Sequence, residues 1–267
     1  MKKLSILAIA FAAVVFAACG GKKSTQNVED ADSLKSFEQQ QIEASIKMNL
    51  DSLAGVFGNL KQLPLIKTAD GKLTLSAEVK KVKPEFLLNA AIADEATTMA
   101  EKYRTLAALQ VDKQIAQLYD LPVEDYDKAI TKLAADINDP SFKVVDNAAS
   151  IMEAPQPLYD AMNENGRINY FWQLSAAALI EQLFVISQNA DKFLSVADDQ
   201  AADNITFRIV LLIDAVNSLV AYDPDIQPVA EAITSLKALN ATSVDELKSQ
   251  IADAKEDILK ARTNLLK

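Results

Sequence analysis

Between Arg167 and Phe193 the apolar side chains are not confined to one side of a helix. Ile168, Phe171, Trp172, Leu179, Leu183 and Ile186 form one stripe, and Leu174, Ala177, Ala178, Phe184 and Val185 widen it around the cylinder. The polar residues fall into two narrow stripes, Gln173, Glu181 and Gln188 on one, Ser175, Gln182 and Asn189 on the other. A helix with so little polar surface has to be surrounded, so the pattern predicts a central helix with neighbours on both sides. Asn165-Gly166 marks its start. At ~1.5 Å per residue the stretch is about 40 Å long, enough for a membrane span. Gln173, Glu181, Gln182 and Gln188 interrupt it, however, and a charge at mid-bilayer costs several kcal/mol. The stretch therefore reads as a core helix.

The same periodicity organises most of the remaining chain. Leu34, Phe37, Ile42, Ile46, Leu50, Leu53, Phe57 and Leu60 recur at helical spacing. Residues 62–83 alternate around Asp70-Gly71, as either a small hairpin or an irregular crossover would. Ala96, Met99, Tyr103, Leu106, Val111, Ile115 and Leu118 give one face of a long helix. Pro122 suits the first turn of the next, whose core face is Tyr126, Ile130, Leu133 and Ile137 and which Asp139-Pro140 ends. Short helices are predicted around Val144–Met152 and Leu158–Met162. After a turn over Asp198–Asp203, Asn204–Tyr222 form a second strongly apolar helix, antiparallel to the first because the connection is short. Val229, Ile233, Leu236 and Leu239 mark another. The last runs from Ser243, where Ser243 and Glu246 have capping-box spacing, and its seam of Val244, Leu247, Ile251, Ala254, Ile258, Ala261 and Leu265 places it at the edge of the bundle. The expected fold is all-α, a single multi-helix bundle over residues 34–267.

Composition narrows the chemistry. The chain has no His, which removes the commonest general base, imidazole metal ligands and Ser-His or Cys-His nucleophiles. Six Gly leave little for loops that cradle phosphate. The net charge of −10, without a basic cluster, argues against nucleic acid. The Asp-rich turns at Asp198-Asp199, Asp203 and Asp223–Asp225 lack the spacing of a calcium loop and read as solvated acids. No cofactor and no metal is expected.

Met1–Ala18 carries two lysines, a short apolar run and small residues, the pattern of a secretory signal. It ends at Phe16-Ala17-Ala18-Cys19-Gly20, which resembles a bacterial lipobox, with Phe16 where Leu is usual. The one Cys of the chain stands at the position where that motif requires it. The resemblance implies cleavage before Cys19 and acylation of its thiol and amine; two or three chains, at about 0.8 kcal/mol per buried CH₂, make the attachment durable. Residues 19–33 are then a lipidated, polar stalk holding the domain roughly 20 Å from the bilayer. Four Arg against 23 Lys, together with the leader, suggest a Bacteroidota-like source. Lys22 and Lys23, rather than acidic residues, follow the Cys, which favours the periplasmic face of the outer membrane. Val82–Leu88, Leu109–Pro122 and above all Asn163–Gln188 resemble an uncharacterised all-helical Bacteroidota lipoprotein family, with Phe184 where the relatives carry Tyr. The resemblance implies fold and address and brings no catalytic residues.

Glu181, Arg208 and Asp214 are the charges hardest to reconcile with apolar helices, since each costs several kcal/mol if buried alone. The expectation is either a buried ion-pair cluster in which Arg208 pairs with Glu181 or Asp214, or polar stripes that reach solvent. Arg104 and Arg167 read as helix-surface groups, and Tyr170-Phe171-Trp172 as core packing. Three functions remain open: a non-enzymatic binding or scaffold module for an envelope protein, needing an exposed apolar patch; a carrier of an apolar or amphipathic small molecule in a closed cavity between the two apolar helices; and an enzyme using carboxylates alone, with Glu181 and Asp214 on a shared cleft.

Overall fold

The computed structural model describes residues 44–58, 75–144 and 155–266. The leader 1–18, the stalk 19–33, the start of the first helix, most of the 62–83 crossover and the short helix predicted over Val144–Met152 lie outside them. The described residues form helices and turns, with no strand. In chain order the helices are α1 (44–58), α2 (Ala77–Lys80), α3 (Met99–Leu118), α4 (Glu124–Ile137), α5 (Pro155–Glu164), α6 (Ile168–Gln188), α7 (Ala190–Phe193), α8 (Asp199–Leu219), α9 (Gln227–Ser235), α10 (Val244–Asp253) and α11 (Lys255–Leu265). None is long and apolar enough to cross a membrane.

The predicted central helix is α6, and it occupies the middle of the core. Helices α3, α5, α8, α9 and α11 all pack against it. Phe171 and Trp172 meet Phe57 and Tyr159 edge to face, while Tyr170 stacks on Tyr103 at 4.6 Å. The Tyr170-Phe171-Trp172 run is thus spent on packing. Helix α1 runs antiparallel to α8: Asn49 Nδ2 donates to Ser218 Oγ at 3.4 Å near one end, and Phe57 faces Arg208 near the other.

Local signals explain the boundaries. Helix α5 stops because Gly166 takes φ +67, which lets Arg167 N–H reach Met162 O (2.7 Å) and Gly166 N–H reach Asn163 O (3.2 Å). Helix α3 begins at Met99, later than Ala96, because Thr98 and Glu101 form a reciprocal capping box. The tail of the alternating segment is not strand: Ser76 caps helix α2. Helix α8 begins five residues earlier than predicted, capped by Asp198. The last helix is two helices. Ser243 caps α10 as expected, although Glu246 reaches back to Thr242 N–H and Oγ1, and the chain breaks at Ala254 before α11.

Candidate functional site

Three charged side chains from three helices meet inside the bundle. Glu181 of α6 is 1% exposed and Asp112 of α3 is fully buried. Arg262 of α11 enters from the edge. Its Nε lies 2.7 Å from Glu181 Oε2 and its Nη2 2.8 Å from Oε1, a bidentate pair. Its guanidinium carbon sits 3.9 Å from the centre of the Phe184 ring, so the flat cation is stacked as well as paired. Nη2 also donates to Phe86 O (3.3 Å) and lies 3.8 Å from Asp112 Oδ2.

Asp112 closes the cluster against the segment before α3. Its Oδ2 accepts Leu88 N–H at 2.6 Å, and Tyr126 of α4 donates to Leu88 O at 2.7 Å. Burial, reinforced by the adjacent Glu181 charge, pushes the Asp112 carboxyl well above the usual carboxylate range. Asp112 Oδ1 has no hydrogen-bond partner among the described residues. Burial raises Glu181 too, and Arg262 opposes it. Tyr126 is pushed up to about 12, mainly by burial and then by the two acids beside it.

The expected cluster is therefore corrected. Glu181 is buried and ion-paired, but its partner is Arg262. Arg208 places its guanidinium 4.9 Å from the Phe57 ring centre, and burial brings it down to about 10. Asp214 lies exposed on α8, so it shares no cleft with Glu181. Arg104 is also corrected: it is 5% exposed and donates to Leu265 O (2.9 Å), at the C-terminus of α11, and to Gln173 Oε1 (2.8 Å). Arg167 is half-buried, 6.0 Å from the Tyr170 ring. All four arginines are thus wholly or partly withdrawn from solvent.

Asp112 and Arg262 were missing from the sequence expectation, yet their positions carried a signal. Asp112 is three or four residues from Ala108, Leu109, Ile115 and Ala116, all buried. Arg262 lies four after Ile258 and three before Leu265, on the seam of the last helix.

Two other regions bear on binding. An open groove of about 700 Å³ lies between the segment 78–86 and the start of α7, lined by Val79, Val82, Phe86, Tyr119, Lys192 and Phe193 among others. None of the four described cavities lies between α6 and α8. The second region is the outer side of α1 and α8, which holds Met48, Val56, Phe207 and Val210, four of the eight large apolar side chains exposed among the described residues.

No protein-family model, no curated protein and no solved structure matches this chain.

Proposed function

We propose that this protein is a lipid-anchored, non-enzymatic binding module of the cell envelope. It is held by acylated Cys19, on the periplasmic face of the outer membrane, and grips a partner protein through the outer side of α1 and α8. The observation that carries the reading is the apolar exposure on those two helices. Phe207 and Val210 are 55% and 50% exposed and lie on one face of α8, between the exposed carboxylates Asp203 and Asp214. Apolar side chains flanked by these two acids suit a partner with an apolar pocket and basic groups beside it. The acid pair supports a platform rather than a reaction centre: Asp112 and Glu181 are closed to solvent and spend their hydrogen bonds on Leu88 and Arg262. The leader and the position of Cys19 support the address.

The test is a photo-crosslinking amino acid placed at Phe207 in cells of the native source, with Glu256 on α11 as an exposed control. The reading predicts one adduct of defined mass from position 207, absent from position 256 and absent in the Val210→Glu background. Equal or diffuse adducts at both positions contradict it. Mass spectrometry of the mature N-terminus checks the anchor independently, and an unmodified Cys19 thiol rejects it.

A further inference from the structure

The groove beside α7 has features that the α1/α8 reading does not use. Its floor is Phe86, which packs edge to face on the buried rings of Phe193 and Phe184, with ring centres 6.4 and 6.5 Å apart. Val79 and Val82 form one wall, and Val82 is 71% exposed with nothing apolar required of it by the core. The volume of about 700 Å³ falls among those of small-molecule sites, roughly 300–1,000 Å³.

Two lysines line this groove, Lys83, which is exposed, and Lys192. Lys192 is half-buried, and its ammonium lies 5.5 and 5.8 Å from the ring centres of Tyr119 and Phe193. Its hydrogen-bond partner is the Tyr119 hydroxyl, at 3.1 Å. No carboxylate among the described residues lies within 4.0 Å of it, whereas Lys80, Lys113 and Lys248, also partly buried, each have an aspartate. The acids that share the groove are not ion-paired with it: Glu78 and Glu85 are both exposed, and Glu78 is turned to its own helix start, where backbone and Ser76 hydrogen bonds lower its pKa. A positive centre held by aromatic faces, beside an apolar floor, is complementary to an anion with an apolar body.

We propose that this groove binds a small amphipathic carboxylate, its head group on Lys192 Nζ and its apolar body over Phe86, Val79 and Val82. The site is separate from the surface assigned to the partner protein and stands or falls without it.

The experiment uses the full chain in its native membranes, labelled with an alkyl carboxylate bearing a diazirine, followed by peptide mapping. Label is expected on the peptides that contain Val79–Phe86 or Gln188–Phe193. Decanoate should compete and decanol should not. Lys192→Met should lower the labelling at least about tenfold, the worth of a charge-assisted contact, and Lys192→Arg should retain it. Label elsewhere, equal competition by decanol, or full labelling of Lys192→Met overturns the proposal. If Lys192→Met lowers the melting temperature, the competition pair on the unaltered chain decides alone.

Discussion

Helices α6 and α8 are each 21 residues long and both read as strongly apolar, yet they play different parts. α6 buries 15 of its residues and α8 eleven. Glu181 is the one charged residue in α6, and it is inside, whereas α8 carries Asp199, Asp203, Arg208 and Asp214 and turns Phe207 and Val210 outward. The difference teaches that apolar content alone does not place a helix. The number of faces left free of charge does: α6 has two thin polar stripes and is packed all round, while α8 has a charged ridge and stays at the rim. Glu181 receives a bidentate cation from α11, and Arg208 lies on an aromatic face.

The sharpest break in this comparison is Arg262→Met. It leaves Glu181 and Asp112 buried without their cation and should cost about 3–5 kcal/mol, read as a lower urea midpoint. Adding Glu181→Gln should restore much of the loss, because the uncompensated charge is then gone; a double variant as weak as the single one would contradict the ion-pair account.

Next in size are matched truncations on the two helices. Leu183→Ala, fully buried in α6, should cost about 2–5 kcal/mol. Val210→Ala, half-exposed on α8, should stay within about 0.5 kcal/mol while weakening the proposed partner contact. Similar losses at both positions would erase the distinction between hub and rim.

A smaller effect distinguishes the acid pair. Asp112 keeps its proton to higher pH in the folded chain than in the unfolded one, where the value is near 3.8. Folding therefore takes up a proton between the two values, and stability falls as pH rises through that window. Asp112→Asn has no proton to lose, so urea midpoints from about pH 4 to about pH 9 should fall less steeply than in the unaltered chain. The part of the slope due to Glu181, which is raised in the same direction, should remain. An unchanged slope would show that Asp112 is ionised in the folded protein.

Much of the fold was legible because helical period is a local property. Gly166 announced the end of α5, and the stripes of α6 gave its register and its central place. The break at Ala254 was not legible: no Gly or Pro stands there, and the seam continues unbroken from Ile251 to Ile258. The start of α3 could have been read from Thr98 and Glu101. The burial of Glu181 followed from its helix, but its partner did not. Arg208 lay on the neighbouring apolar helix and looked suitable, whereas Arg262 is 81 residues from Glu181 and reaches it only through the packing of α11 on α6.

The most direct measurement of α6 as the hub is residue-resolved hydrogen exchange under native conditions, comparing amides 177–185 of α6 with amides 207–215 of α8. The account predicts that the α6 amides around Glu181 exchange only through global unfolding, and that those of α8 open at lower free energy. Exchange at α6 as fast as at α8, or faster, would contradict it.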